Sequence, residues 1–206
     1  MPARRPAMKR PPARRAARER KSKETQIHVG VDLDGAGKHD ISTGLPFLDH
    51  MLEIVAFHGL LDLTVKATGD LHVDQHHTVE DLGLVLGQAI DAALGDRKGL
   101  VRYASLEIPM DEALVSLTLD LGGRPFFASD LKPATRIVGA FDSELVPDFF
   151  TALTQGARCT IHIRQLAGGN THHVLEAAFK ALGRALEAAV QRDPRRRGVP
   201  SSKGLI

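Results

Sequence analysis

Asp74-Gln75-His76-His77-Thr78-Val79-Glu80-Asp81 and Gly169-Asn170-Thr171-His172-His173-Val174-Leu175-Glu176-Ala177 decide how this chain is read, because one motif stands in it twice. Each copy opens a segment with helical apolar spacing. Val79, Leu82, Leu86, Ala89, Ile90 and Ala93 follow the first; Leu175, Ala178, Phe179, Leu182, Ala185 and Ala189 follow the second. On such helices His76 shares a face with Glu80, and His172 with Glu176. His77 and His173 lie about 100° further round and cannot reach the same ion from that face. Paired imidazoles with a carboxylate therefore point to two metal ions, each collecting ligands from both copies. A nitrogen and oxygen donor set without thiolate suits manganese, iron or zinc.

The repeat extends beyond the clusters. At one offset His76 maps to His172, His77 to His173, Glu80 to Glu176, Gly87 to Gly183 and Thr64-Val65 to Thr160-Ile161; at a slightly shorter one Glu24 maps to Glu112 and Asp32 to Asp120. Two copies make a duplicated unit and not a solenoid. Alternation of Ile27, Val29, Val31 and Leu33 predicts a half-buried strand over Glu24 to Asp34. The spacing then predicts a helix over Thr43 to Gly59, a strand over Leu61 to Ala67, and the first cluster's helix ending near Gly95. Strands follow at Ala104 to Ile108, closed by Pro109, and at Ala113 to Leu121. Residues 126–143 read as mixed strand and loop. A helix over Glu144 to Gln155, a strand over Arg158 to Gln165 and the second cluster's helix to about Gln191 complete the pattern. The expected fold is α+β: two repeated halves, 24–108 and 109–194, each a small mixed β-sheet with helices packed on one face.

Composition narrows the class. With no Trp and one Tyr the core must be mostly aliphatic, and the single cysteine, Cys159, excludes an internal disulfide framework and fits a reducing, cytoplasmic compartment. No apolar run approaches a membrane span and no secretory signal pattern is expected, so no membrane partner is expected. Residues 1–23 carry Glu19 as their only acid and read as a disordered basic tail. A transit peptide, a nucleic-acid-binding arm and an inert extension compete for it. The prolines and the single Ser favour the inert extension, so no nucleic-acid partner is expected.

His50 and Asp148 occupy comparable places, each near the start of a helix one strand before a cluster, and are the natural additional metal ligands. Ligand positions left open for water or substrate would mark a catalytic and not a structural site. Arg102, Arg124, Lys180 and Lys203, at element ends or in loops, point to an anionic ligand. The 195–206 tail carries Ser201-Ser202-Lys203-Gly204, whose hydroxyls, backbone N–H groups and ammonium could cradle a phosphate.

Lys23-Glu24-Thr25, Leu48-Asp49-His50-Met51-Leu52, the two clusters, Glu176-Ala177-Ala178-Phe179-Lys180 and Pro200-Ser201-Ser202-Lys203-Gly204 together resemble the imidazoleglycerol-phosphate dehydratase family, from about residue 18 to the end. The resemblance implies a hydro-lyase of histidine biosynthesis that converts imidazole glycerol phosphate to imidazole acetol phosphate and water. It implies two Mn2+ per active site, Lewis-acid stabilisation of imidazolate-like charge, and a shell of twenty-four subunits with sites between them. One ion would be held by His50, His77, His173 and Glu176, the other by His76, Glu80 and His172 or His173 with one more ligand. Glu24 would be the acid/base. Substrate would be held by Glu24, His50, His58, His76, Glu80 and His172, and its phosphate by Arg102, Arg124, Lys180, Ser201, Ser202 and Lys203. The chain departs from the family pattern at Asp148, where a His usually precedes Phe-Phe. Either Asp148 ligates a hard ion there, or that position passes to solvent and the site is weakened. Two other classes compete: a metal-storage protein that has lost turnover, with Asp148 as its clue, and a nucleic-acid binder led by the tail.

Overall fold

The computed structural model describes residues 13–206. Four strands, β1 (Arg15–Lys21), β2 (Thr25–Asp32), β3 (His39–Ser42) and β4 (Asp62–Gly69), form a first sheet in the order β1-β2-β4-β3. Four more, β5 (Tyr103–Met110), β6 (Ala113–Asp120), β7 (Phe126–Ser129) and β10 (Thr160–Ala167), form a second in the order β5-β6-β10-β7. In each sheet the first three strands of that order are antiparallel and the last pairs in parallel. The duplicated mixed sheets are therefore as expected. A small hairpin, β8 (Ile137–Val138) and β9 (Phe141–Asp142), is added in the second half only.

Helices α1 (Pro46–Gly59) and α2 (His76–Leu94) belong to the first half, α3 (Val146–Ala157) and α4 (Thr171–Ala189) to the second. α2 covers the first sheet and α4 the second, and the helices meet across the halves, α1 against α4 and α2 against α3. The core between the sheets is aliphatic, as the aromatic scarcity requires, around one cluster of Phe149, Phe150 and Phe179. Val29, Val65, Val115, Leu117 and Ile161 supply the sheet faces, each fully or almost fully buried. Among the described residues no helix is long and apolar enough to cross a membrane.

Two sequence boundaries are corrected. Residues 15–21, read as tail, form β1; residues 1–12 lie outside the described residues. β1 is a charged edge strand, mostly exposed, and charge on an edge blocks further pairing without preventing the strand. Three of its five charged side chains are matched, by Arg15–Asp32 at 2.7 Å, Arg20–Asp81 at 2.7 Å and Glu19–His28 at 3.1 Å. The division at residue 108 also fails, because it cuts β5, which belongs wholly to the second sheet. The halves run from β1 to α2 and from β5 to α4. Pro109 does not end its strand; it sits one residue from the end of an edge strand, where a missing N–H is tolerated. β3 was missed because four residues are too few to show a period.

The helix pairs touch through glycine. A Cβ on Gly87 of α2 would stand 2.4 Å from the Leu153 carbonyl oxygen and 2.6 Å from the Ala157 nitrogen of α3, and one on Gly183 of α4 would stand 2.8 Å from the Val55 oxygen of α1. Gly87→Ala is therefore expected to lower stability. Overpacking against backbone costs about 1–3 kcal/mol or more, against roughly 1 kcal/mol of recovered helix propensity. Thermal melting should show a lower Tm for Gly87→Ala and an unchanged one for Gly198→Ala, whose Cβ meets nothing within 4 Å.

Candidate metal and phosphate sites

Both His-His pairs lie on the first turn of a helix because a side chain fixes each helix start. Asp74 Oδ1 accepts from the His76 N–H at 2.8 Å, and Asn170 Oδ1 from the N–H groups of His172 and His173 at 2.9 and 3.4 Å. The start of α1 is held similarly. Asp49 Oδ1 accepts from the backbone N–H and hydroxyl of Thr43, at 2.9 and 2.6 Å, which sets His50 on the following position.

Across α1 and α4, His50, His172 and Glu176 offer ligand atoms all within 4.8 Å of one another. His172 Nε2 lies 3.1 Å and His50 Nε2 3.8 Å from the same carboxylate oxygen, Glu176 Oε2. Lys180 holds the other oxygen, Oε1, at 2.7 Å. Burial pushes the Glu176 carboxyl up, but Lys180 and His172 outweigh it, and the group settles below its ordinary range. Two imidazoles and a carboxylate aimed at one point are the donor set of a divalent ion. His58, half-buried on α1, is held below the usual histidine range by burial and by the charges of Lys180 and Arg184. His50 and His172 also border a cavity of about 520 Å3 lined by Phe47, Gln75 and Phe141.

The related set spans α2 and α3, but it is built differently. Asp148 Oδ2 approaches His76 at Nδ1, 3.2 Å away, whereas Glu80 Oε2 approaches Nε2, 3.7 Å away. Among the described residues only His50, His172 and Glu176 form a convergent trio, so Asp148 does not share one point with His76 and Glu80 as His50 shares one with His172 and Glu176.

The second histidine of each pair faces away from these sets. His77 Nδ1 lies 3.1 Å from Asp70; that hydrogen bond, helped by the charge of Glu24, raises its pKa. His173 Nδ1 lies 2.7 Å from Glu112, which raises His173 and brings the Glu112 carboxyl down to about 2. Glu24 and Glu112, the mapped pair, occupy the β1–β2 and β5–β6 turns. Within one chain, His77 and His173 therefore do not join Glu176.

Five of the six expected phosphate contacts come together. Arg102, Arg124, Ser201, Ser202 and Lys203 line a cavity of about 420 Å3, with Tyr103 and Arg196, which sequence reading missed. Buried Arg102 donates from Nε and Nη2 to Asp120 at 2.6 and 2.9 Å and from Nη1 to the Pro200 carbonyl at 2.7 Å. Two of the five guanidinium donors remain for an anion. Ile206 closes on Gly123, where a Cβ would meet it at 2.8 Å. Lys180 is not in this group; it serves Glu176. Arg196 had no signal beyond its place in a basic tail.

The imidazoleglycerol-phosphate dehydratase family model matches residues 43–186. A Desulforamulus reducens protein named imidazoleglycerol-phosphate dehydratase is 54% identical over 193 residues, 94% of this chain and 98% of its own length. One of the same name from Moorella thermoacetica is 53% identical over 194 residues, 94% of this chain and 99% of its own. The crystal structure of the Staphylococcus aureus dehydratase has a TM-score of 0.79 at 40% identity, covering 87% of this chain and 99% of that one. The Pyrococcus furiosus structure, in complex with (S)-C348, has a TM-score of 0.80 at 37% identity, covering 92% and 100%.

Arg102→Met leaves Asp120 and the Pro200 carbonyl without their partner. It is expected to cost about 3 kcal/mol, in the range for breaking one side of a buried pair, and to loosen residues 200–206. Denaturant unfolding and the rate of tryptic cleavage after Lys203 check it; an unchanged cleavage rate would mean that the tail is held by other contacts.

Proposed function

The chain belongs to the imidazoleglycerol-phosphate dehydratase family, and on that premise we propose that it converts imidazole glycerol phosphate to imidazole acetol phosphate and water, in histidine biosynthesis, at sites completed between copies of itself. It is a hydro-lyase, and the observation that carries the proposed site is the convergence of His50, His172 and Glu176. That donor set fits a divalent ion. We assign two Mn2+ to each active site, one held by His50, His172 and Glu176 and one by His76 and Glu80, with His77 and His173 of neighbouring copies filling the sets. When bound, the ions supply Lewis acidity that stabilises negative charge on the substrate imidazole.

The chain's own groups do the rest. Glu24, in the exposed β1–β2 turn beside His77, accepts the proton from the substrate C–H, and an acid of the site protonates the departing hydroxyl so that water leaves. The serine hydroxyls, Lys203, Arg124 and the free donors of Arg102 hold the phosphate and so position the reacting carbons.

Distance supports assembly. His172 stands on the first turn of α4, while the Arg102 N–H donates to the Ala189 carbonyl at its far end, at 2.9 Å. The 17 helical steps between them span about 26 Å. A ring, three carbons and a phosphate cover on the order of 10 Å at ordinary bond lengths. That separation of one chain's phosphate cavity from its own His172 set supports the reading that a second copy supplies one or the other. A closed shell, for which the family resemblance gives twenty-four subunits, provides such contacts.

Glu24→Gln is expected to lower kcat by about 10²–10⁴-fold with bound manganese unchanged. Lys203→Ala is expected to raise KM. If sites draw Glu24 and Lys203 from different chains, inactive Glu24→Gln and a strongly impaired Lys203 variant, co-expressed at equal levels, should form intact sites at about a quarter of positions, as random mixing in a symmetric oligomer requires. No recovery in co-purified mixed oligomers would sink the shared site.

A further inference from the structure

The two ion sets of one chain are related by the repeat, yet the residues that α1 and α3 bring to them differ. Asp148-Phe149-Phe150 on α3 stands where His50-Met51-Leu52 stands on α1. His50 presents Nε2 to the oxygen that also receives His172, so it reaches the ion point directly. Asp148 instead lies on the far side of its partner ring, at Nδ1 of His76, while Glu80 lies at Nε2. An imidazole binds a metal through one nitrogen, and the group on the other nitrogen fixes its tautomer and orientation.

We propose that Asp148 is a positioning residue and not a metal ligand: its carboxylate, in ion-pair contact 3.2 Å from Nδ1 of His76, holds the ring's proton on that nitrogen and leaves Nε2 free to bind the ion beside Glu80. The two ions of an active site are thereby unequal. One has two imidazoles and a carboxylate from a single chain; the other has one imidazole and one carboxylate, with a second carboxylate behind the ring. Leu84 adds to the inequality. It stands four residues after Glu80, where Lys180 follows Glu176, so no ammonium at that position opposes the second ion. This inference rests on the metal reading given above, and its test separates the two.

Mn2+ binding to the full assembled protein, followed by the spectrum of unbound Mn2+, provides the test. Wild type should bind two ions per chain in two affinity classes. Asp148→Ala should still bind two at saturation, with one class weakened by about 10–100-fold, as for loss of a carboxylate behind a metal-bound histidine. Asp148→Asn, whose carbonyl still accepts from Nδ1–H, should restore most of that loss. Nitrogen-15 spectra of the metal-free protein should show the Nδ1–H tautomer of His76 in wild type and Asp148→Asn, and a mixture in Asp148→Ala. Loss of one ion per chain in Asp148→Ala, or rescue by Asp148→His but not by Asp148→Asn, would show a direct ligand and overturn the inference. Wild type that binds no manganese would overturn the metal reading and the inference together. Melting curves confirm that each variant is folded.

Discussion

Backbone-to-backbone contact at glycine is the constraint on which this structure depends. His50 meets His172 near the starts of α1 and α4, and Gly59 meets Gly183 near their far ends, so the two helices run side by side in the same direction. His76 and Asp148, then Gly87 and Gly156, define the same arrangement for α2 and α3. Ligands on neighbouring helices can meet only if the axes come close, and side chains at the crossing set that spacing, normally about 8–10 Å. With no side chain at Gly87 and Gly183 the helices close to backbone contact, and the first-turn histidines and carboxylates arrive within reach of one another. Packing in the interior thus determines chemistry at the helix starts.

Adjacent histidines divide their labour for the same geometric reason that made them legible. About 100° apart on a helix, they cannot serve one point. His172 turns to His50 and Glu176, and His173 turns the other way, to Glu112. His76 lies against Glu80 and Asp148 while His77 lies against Asp70. Two of the four cluster imidazoles, His77 and His173, are consequently left out of these sets and held by hydrogen-bonded carboxylates. Under the proposed function those are the groups a neighbouring copy needs.

Most of the fold was legible because duplication doubles every signal: the strands with two-residue alternation and the four helices were found within a few residues of their ends. β1 was not, since a run of Arg, Ala, Glu and Lys has the composition of a solvated tail. A signal existed nevertheless. The offset that pairs Glu24 with Glu112 also pairs Arg14 with Arg102 and residues 15–21 with 103–109, that is, β1 with β5. Following the repeat past its apolar positions would have found it. The shared helix face read from spacing for His172 and Glu176 is seen as their 3.1 Å contact, because helix geometry is local. Within one chain Lys180 pairs with Glu176 and does not line the cavity of Arg102 and Lys203, because partner choice for a long side chain is settled by tertiary neighbours that a spacing cannot show.

Duplication also bears on stoichiometry. The elements that carry the His-His clusters come in two copies, but the 195–206 tail comes in one, and the repeat mates Arg102 and Arg14 have diverged accordingly. Arg102 holds Asp120 and the carbonyl of Pro200, keeping Ser201 to Lys203 at the cavity. Arg14, equally buried, is closed off by Asp34 and the Val190 carbonyl. Among the described residues each chain thus offers one convergent donor trio, its repeat counterpart at His76 and Glu80, and one cavity of clustered cations and hydroxyls. If every phosphate cavity is matched to a catalytic centre, the copies can be satisfied only by centres that use two ion sets apiece. Under the proposed function, a ratio of two ions to one phosphate would follow from which part of the chain was duplicated, and the unequal surroundings of His76 and His172 would give those two ions different roles to fill.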